Sequence, residues 1–377
     1  MPDLNPLSDE FRSNREAVLK QFRDDSPVLM TDQGVALIFR YAEAIAVVRD
    51  PETFSSGGPL ADPARPSMGT MDPPEHGQYV AIMNSAFDKK YQDGLEDSFR
   101  AMAQSLITQA AAGTECDLMN DVVIPYFLGA NGVILGLSDE QIEELRVIDH
   151  MVPRMASMDE LAGITGRSDS LFAAVLEEHR ANPTNDHTSA LLSVGSDGGR
   201  ALTQIELLEY LLRFRNGNSL TTSVAVGNGV ELLARHPEAR AELAANPALI
   251  PNAFLEMQRR EPPIHEAGMR MTTREVTVAG VTLPANTRVR VHTAAADLDE
   301  RQFADPEKFD IHRDASSHLG MSTGEHYCFG SYLARLEARV FFEELMKIMP
   351  NFTPTRPAER LMSPFYWQFE NIPVSIP

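Results

Sequence analysis

Apolar residues recur three and four positions apart over several long stretches of the chain. This spacing is typical of helices that bury one face. It predicts seven helices, over residues 42–49, 93–112, 138–151, 168–181, 203–235, 250–260 and 329–348. Strand signals, in which Val, Thr and Ile alternate with polar residues or glycine turns, cluster near 28–40 and 274–292. The pattern predicts a mainly α fold with small β-rich parts. A β turn is also predicted at the C-terminus.

Length and composition fit one large domain. The chain has 377 residues, of which 43% are hydrophobic, so it can bury a substantial core. It contains no internal repeat, no low-complexity tract and no long linker rich in Pro or Ser. We therefore predict a single domain over residues 1–377, although length alone would permit two or three domains.

The charge of the chain limits its partners. The formal net charge is −21 at pH 7, whereas phosphate groups are bound by clustered Lys and Arg. Nucleic acid and anionic membranes are therefore not expected as main partners. No apolar run reaches about eighteen residues, the length that crosses a bilayer. The start of the chain also lacks the basic and apolar regions of a secretion signal. We expect a soluble, cytoplasmic protein with no membrane anchor.

Cys328 stands in a glycine-punctuated turn at the start of the last predicted helix. Gly324 and Gly330 flank it and leave room for a flat ring to approach the backbone. A thiolate at a helix start meets free N–H groups and the positive end of the helix dipole, which lower the pKa of a thiol. This combination suits the ligation of iron by a cysteine thiolate.

Simple packing is the alternative role for Cys328, because free cysteine is among the most often buried residue types. A structural zinc site is not supported, since the chain has only Cys116 and Cys328 and no second Cys/His pair at zinc-finger spacing. Cys116 has no reactive neighbours in the sequence and is predicted to pack. Two cysteines in a chain of this length also favour a reducing compartment over a disulfide framework.

The run from His318 to Glu337 resembles the cysteine loop of the cytochrome P-450 superfamily of haem-thiolate monooxygenases, in its soluble bacterial form. That loop reads Phe-Gly-x-Gly-x-His-x-Cys-x-Gly, and here Met321 and Ser322 replace the leading Phe-Gly. The resemblance extends over nearly the whole chain. It implies a cytochrome P-450 fold, in which a large helical domain carries a small β-rich lobe. Haem b (iron protoporphyrin IX) would lie between the long central helix and the cysteine-bearing helix, with Cys328 as the axial ligand of the iron.

Other positions resemble the family's haem environment. His76 follows the stretch Met-Asp-Pro-Pro-Glu, which resembles the start of the family helix that passes over a haem propionate. Arg270 and His326 resemble two further propionate contacts, and Gly330 is the glycine that follows the ligand in the loop. A guanidinium fork suits a carboxylate. The family commonly has an arginine four residues after His76, and Val80 stands there instead, so one counter-charge is missing.

Glu256 and Arg259 are three residues apart on a predicted helix, which places both charges on one face. Alone, such a pair is most often a solvated surface pair. Upstream of the cysteine loop it resembles the family's buried Glu-x-x-Arg, whose role is structural.

The central predicted helix departs from the family pattern Ala-Gly-x-Asp/Glu-Thr-Thr. Counting back from the helix end places Thr221 at the oxygen-side threonine, the implied catalytic residue, and Leu220 at the position of the proton-relay acid. If the register slips by one residue, Ser219 takes the acid position instead. The acid is absent in both registers. The alternative role for Thr221 is a hydrogen bond to the carbonyl four residues back.

Arg213, Asn216, Gly217 and Leu220 follow α-helical spacing and are predicted to share one face, which lines the distal pocket in the resembling fold. A guanidinium there is costly to bury unpaired. We hypothesise that Arg213, with Asn216, binds a carboxylate or another polar group of the substrate. The alternative is an ion pair of Arg213 with Glu209 one turn earlier.

The resemblance also places Ile264, His265 and Phe365 among the substrate contacts. A solvent-facing role for His265 and a packing role for Phe365 remain the alternatives to substrate contact.

The implied function is a monooxygenase that oxidises, and most simply hydroxylates, a small organic substrate with dioxygen. Electrons would come from a ferredoxin and its reductase with NAD(P)H. Because the proton-relay acid is missing, two further functions stay open. One is a haem-thiolate enzyme driven by peroxide, or one in which the substrate supplies the proton. The other is a haem protein that binds or senses a ligand without turnover.

Overall fold

The computed structural model describes residues 3–155, 157–196 and 200–377. Within these ranges α-helices dominate. They are α1 (Asp9–Asp25), α2 (Tyr41–Arg49), α3 (Glu75–Ala86), α4 (Lys89–Asp93), α5 (Glu96–Ala111), α6 (Ile124–Leu135), α7 (Asp139–Met151), α8 (Met158–Ala181), α9 (His187–Ser193), α10 (Gln204–Arg215), α11 (Ser223–Arg235), α12 (Pro237–Ala245), α13 (Ile250–Arg260), α14 (Thr293–Ala296) and α15 (Ser331–Ile348).

The strands are short and form small sheets. They are β1 (Val28–Met30), β2 (Val35–Ile38), β3 (Phe54–Ser55), β4 (Glu115–Asp117), β5 (Ala267–Thr272), β6 (Val276–Val278), β7 (Val281–Leu283), β8 (Arg288–Val291), β9 (Thr353–Pro354), β10 (Glu359–Arg360), β11 (Phe369–Asn371) and β12 (Pro373–Ser375). The largest sheet has the order β1-β2-β8-β5-β3, in which β2 and β8 run parallel. The predicted mainly α fold with small β-rich parts is confirmed.

The predicted helices are present, and their capping residues explain the accuracy of two starts. Ser138 and Thr203 each form a capping box with the residue three positions on, which fixes the beginnings of α7 and α10. Helix α8 begins ten residues before the predicted 168. Its first turns lack a strong apolar stripe, so spacing alone could not reveal them. Apolar spacing did not predict helices α1, α3, α6, α9, α12 and α14.

The predicted helix over 203–235 is continuous but not uniform. Its middle, Asn216–Thr222, is π-helical and lies between α10 and α11. We call these three pieces together the central helix. Almost all of α11 is buried, and the main hydrophobic core packs around it through residues such as Val226, Met257 and Phe341.

One stretch, Leu118–Leu135, is long and apolar enough to cross a membrane by composition. The prediction that no stretch reaches this length overlooked it, because Asn120 and Asp121 interrupt the apolar run. The stretch is a π-helical turn followed by α6, and 67% of it is buried inside the protein. It is therefore a core helix of the fold.

Glu256 and Arg259 form a fully buried ion pair, with an Nε–Oε2 distance of 2.6 Å and 0% exposure of both side chains. Arg259 also donates to the carbonyls of Asp297 and Pro306, and Glu256 accepts from Arg313. The pair thus ties α13 to the segment that leads to the cysteine loop. This geometry matches the structural role predicted for it, whereas a solvated surface pair does not fit the observed burial.

We expect Arg259→Ala to lower the free energy of unfolding by about 3–5 kcal/mol, because the fully buried Glu256 carboxylate then loses its main partner and keeps only Arg313. The matched control is Arg356→Ala, which breaks an exposed Arg–Glu pair at the same spacing and should cost less than about 1 kcal/mol. Urea unfolding followed by circular dichroism measures both. Equal losses in the two variants would contradict the structural role.

Candidate active site

A cavity of about 350 Å³ lies between the central helix and the loop that carries Cys328. We call it the catalytic cavity. Its lining is mostly apolar and comes from the central helix, α13, the segment before β5, the cysteine loop and the start of α15. The lining residues used below are Met68, Arg213, Gly217, Asn218, Thr221, Thr222, Ile264, Met321, His326, Cys328, Gly330 and Glu337.

The cysteine loop is held by a tight turn. The N–H of Cys328 donates to the carbonyl of Met321 at 2.9 Å, and α15 begins three residues after the cysteine. Gly324 has a φ of +72° and packs against the end of α2, where a Cβ would lie 3.1 Å from the carbonyl of Val48. Glycine is therefore required at 324 by conformation and by space. The result is a thiol on the floor of the cavity.

The thiol of Cys328 is open to the cavity and surrounded by protein on its other sides. This burial raises the pKa of Cys328 above its ordinary value, while a hydrogen bond from the backbone of Gly330 acts in the opposite direction. In the protein alone, the cost of burying a thiolate therefore outweighs the lowering effect that the sequence predicts for the helix start, which the Gly330 backbone supplies. A bound cation would supply the missing stabilisation. Cys116 lies half-buried on β4, as a packing role requires, and burial raises its pKa to about 11.

The departure of Met321 and Ser322 from the family loop has two different effects. Met321 is buried and keeps apolar contact with the cavity. Ser322 has a φ of +59°, in the left-handed region where the family's glycine would be unstrained. The serine therefore costs about 1 kcal/mol of local strain.

Arg270 Nη2 and His326 Nε2 are among the buried polar atoms beside the cavity that have no hydrogen-bond partner in the described residues. Burial lowers the pKa of Arg270, and it lowers the pKa of His326 to about 4, with the charge of Arg270 contributing. A buried guanidinium without a counter-charge is costly, and an anionic ligand removes that cost. The carboxylates of a haem fit this pair of donors.

Gly330 completes the fit. Nothing lies within 4 Å of the position where its Cβ would be, so the space beside its backbone belongs to the cavity and admits a flat ring. His76 is buried, its ring centroid lies 4.2 Å from that of His326, and its Nδ1 lies 3.0 Å from Glu325 Oε1. The predicted haem contacts are therefore close together, whereas Val80 offers no charge.

The π-helical segment decides which side chains of the central helix reach the cavity. Arg213, Gly217 and Thr221 line it at intervals of four, as a wider helical turn requires. Asn216 and Leu220, predicted on the same face, do not line it. Leu220 is instead 4% exposed and packs with apolar residues of α6 and α7. The prediction of one shared face was wrong because it assumed α-helical spacing.

Thr221 lines the cavity, and its hydroxyl donates to the carbonyl of Asn216, five residues back, at 3.0 Å. Thr222 lines the cavity too and bonds Gly217 in the same way at 2.8 Å. The local bond suspected for Thr221 is therefore present, with the π-helical spacing of five. The hydroxyl oxygen of Thr221 can still accept a hydrogen bond from a molecule bound in the cavity. Its catalytic role remains a prediction.

Asn218 and Glu337 face each other across the cavity and were not predicted. Glu337 is fully buried, and burial raises its pKa to about 8 against a lowering influence of the nearby Asn218 amide. The side-chain polar atoms of both residues lack a hydrogen-bond partner of ordinary geometry among the described residues. Both residues line the cavity. The signal in the sequence was a carboxylate within the apolar stripe of α15, between Leu333 and Val340, where surface charge is out of place.

The predicted substrate contacts before β5 and near the C-terminus separate in the structure. Ile264 lines the cavity and forms a β-bridge with Tyr366. His265 points the other way, as alternation along an extended segment requires, and packs between Phe11 and Trp367. Phe365 is 49% exposed and does not line the cavity. His265 and Phe365 are therefore not brought to the site.

Arg213 forms an ion pair with Glu209, at an Nε–Oε1 distance of 2.6 Å, as the alternative interpretation anticipated. Glu209 is also paired with Arg65, which in turn pairs with Asp169 on α8. The pair uses only Nε of Arg213, and the side chain is 58% exposed at the rim of the cavity. Its Nη atoms have no hydrogen-bond partner in the described part of the chain.

Comparison with known proteins agrees with this geometry. A model of the family described as "Cytochrome P450" matches residues 245–360, which contain Arg259, Arg270 and Cys328. The steroid C26-monooxygenase of Mycobacterium tuberculosis is 31% identical, over 99% of this chain and 97% of its own length. The erythromycin C-12 hydroxylase of Saccharopolyspora erythraea is 32% identical, over 91% of this chain and 89% of its own length.

The fold agrees as well. The solved structure of the open cytochrome P450 EryK from S. erythraea superposes with a TM-score of 0.90 at 29% identity, covering 99% of this chain and 98% of that one. These matches identify haem as the cofactor and a monooxygenase as the class of enzyme. With a thiol on the cavity floor, unpaired donors for the propionates and relatives matched along almost the whole length, the chain belongs to the cytochrome P450 family.

Proposed function

We propose that this enzyme hydroxylates a small, largely apolar organic molecule that carries one polar group, with electrons from a ferredoxin. The observation that carries the proposal is the catalytic cavity, in which a mostly apolar wall faces the thiol of Cys328. Haem would occupy the part of this cavity of about 350 Å³ that adjoins Cys328, so cofactor and substrate share its volume. An apolar wall binds the carbon skeleton of a substrate by burying it.

Four residues would hold the haem. Cys328 would bind the iron through its thiolate, and Arg270, His326 and His76 would hold the propionates, whereas Val80 adds no charge. When bound, haem b with a thiolate ligand supplies the activation of dioxygen. The protein's own part is to place the substrate, to limit water and to deliver protons.

Glu337 is the proton donor that we propose in place of the acid absent at Leu220. With a pKa of about 8, its carboxyl holds a proton at neutral pH on a side chain that faces the cavity. Asn218 lies on the central helix, opposite Glu337. Its amide can connect the Glu337 carboxyl to that helix by hydrogen bonding. The hydroxyl of Tyr126, on α6, donates to the main-chain carbonyl of Glu337. It therefore does not occupy the side-chain carboxyl.

Arg213 is the residue that we propose for the polar group of the substrate. Its Nε is held by Glu209, which fixes the guanidinium at the rim, and its Nη atoms remain available to a carboxylate or a hydroxyl. Asn216 does not line the cavity, and its side-chain oxygen already accepts from Arg215. We therefore omit Asn216 from this part of the site.

A ferredoxin is the electron donor that we propose, acting in the cytoplasm. The face around the cysteine loop exposes Tyr327 and Tyr332, and Arg335 on this face has no acidic partner in the described ranges. Other cations nearby are neutralised, since Lys89 pairs with Asp93 and Arg339 with Glu96. Salt bridges on this face therefore reduce the positive charge that is available to dock an acidic ferredoxin.

The two alternatives are less well supported. Peroxide brings its own protons and electrons, so the proton donor that we propose at Glu337 is in keeping with a reaction driven by dioxygen. A haem protein without turnover is disfavoured by the relatives, which are named as monooxygenases and hydroxylases.

We expect Cys328→Ser to lose most of its haem, because a serine hydroxyl does not provide the thiolate ligand. Cys116→Ser makes the same chemical change away from the cavity and should leave the haem content unchanged. The reduced carbon-monoxide difference spectrum and the haem-to-protein ratio measure both variants. Unchanged pigment and activity in Cys328→Ser would overturn the proposed function.

We expect Glu337→Gln to lower product formation by about a hundredfold, because an amide cannot release a proton. In the wild type, activity should fall as pH rises through about 8, where Glu337 loses its proton. The variant should lack this fall. The measurements are the pH profile and the ratio of product to NAD(P)H consumed. Glu343→Gln, on the partly exposed side of the same helix, is the control. The same high-pH fall in both variants would reject the proton-donor role.

We expect Arg213→Ala to weaken the binding of an organic acid by about tenfold and that of its neutral analogue by less than about twofold. The control is Arg235→Ala, which breaks another Arg–Glu pair at the same spacing near the far end of the central helix. Shifts of the Soret band on titration give both affinities. Equal losses for the acid and the neutral analogue would show that Arg213 acts only on structure.

A further inference from the structure

A second cavity, of about 460 Å³, lies on the opposite side of the central helix from the catalytic cavity. It is enclosed by α6, α7, the π-helical segment and the region of β11. Apolar side chains of α6 and α7 form part of its wall, among them Ile124, Leu128 and Ile142. It is therefore as large as many small-molecule sites, and nothing in the oxidation described above uses it.

The cavity also contains polar groups that lack partners. Gln368 is 8% exposed, and its Oε1 has no hydrogen-bond partner within the described residues. Asp149 is equally buried, with one oxygen bound to Arg215 and Oδ2 left without a hydrogen bond. The nearby hydroxyl of Ser219 is committed to the carbonyl of Arg215 at 3.0 Å. Buried acceptors of this kind are costly unless a donor reaches them.

The charges at the mouth of this cavity are already balanced. Arg154 pairs with Glu370, and Arg146 pairs with Glu143. Asp149 is compensated by Arg215. A charged ligand would therefore have to break an existing pair, whereas a neutral one would not. The ligand that matches the cavity is an uncharged apolar molecule with a hydroxyl group.

We propose that the second cavity is a binding site for a neutral, hydroxylated apolar molecule, held by Gln368 and Asp149 and by the apolar wall of α6 and α7. The site shares the π-helical segment with the catalytic cavity. Ser219 and Leu220 line the second cavity. Their immediate neighbours in the chain, Asn218 and Thr221, line the catalytic cavity. Occupancy of one side can therefore act on the other through this segment.

The test uses the holoenzyme with imidazole bound in the catalytic cavity, so that only the second cavity is free. The probe is 4-ethylphenol, and its methyl ether 4-ethylanisole is the matched ligand without a hydroxyl donor. We expect one equivalent of 4-ethylphenol to bind in isothermal calorimetry, with the ether binding about fivefold more weakly. Amide hydrogen exchange in α7 should slow when the phenol is present.

Variants locate the binding. Gln368→Leu removes the unpartnered oxygen and should weaken 4-ethylphenol binding about fivefold without changing the affinity of the ether. Leu128→Trp should abolish the binding of both ligands by filling the cavity, and an unchanged Soret band will verify that it folds. Gln109→Leu makes the same change on an exposed part of α5 and is the control.

No binding of the phenol by the imidazole-bound holoenzyme would overturn the proposal. Equal affinities of Gln368→Leu and Gln109→Leu would also overturn it. Binding requires no oxidation of the probe, so the result is independent of whether the enzyme turns over a substrate.

Discussion

The site depends on the π-helical winding of the central helix over Asn216–Thr222. The hydroxyls of Thr221 and Thr222 bond carbonyls five residues back, which is the spacing of the π-helical turn they stand in. An α-helix with the same sequence would turn Leu220 toward the face of Arg213 and Gly217. The observed winding instead commits Leu220 to the core. It also presents Asn218 and Thr221 to the thiol side of the molecule.

The buried charges of the protein divide into two kinds. Glu256 and Arg259 satisfy each other and the surrounding carbonyls, so they serve the fold. Arg270 and His326 keep buried nitrogens unpaired at the edge of the catalytic cavity. Leaving donors unpaired destabilises the protein alone, and a bound anionic group recovers that free energy. Arg270 is thus a buried guanidinium without an ion-pair partner among the described residues, which marks it as a candidate contact for an anionic ligand.

The departures from the family pattern at Leu220, Ser322 and Val80 have different consequences in the structure. The acid missing at Leu220 is matched by a carboxyl on the opposite helix, Glu337, which burial keeps protonated near neutral pH. The strain at Ser322 is local. The hydrogen bond from the N–H of Cys328 to the carbonyl of Met321 remains in place. The missing arginine at Val80 has no such replacement, and the candidate propionate contacts are Arg270 and two neighbouring histidines, His76 and His326.

The sequence by itself predicted most of the long helices, Cys328 as the thiolate ligand and the residues expected to contact the haem. These follow from local rules, namely apolar spacing, capping residues and a short motif, which act over a few residues. Only the tertiary structure decided which side of the central helix meets the cavity and that His265 packs inward. It also decided that Glu337 lies opposite Asn218. These outcomes depend on π-helical winding, on a β-bridge and on burial between distant segments, and none of the three leaves a periodic signal in the chain.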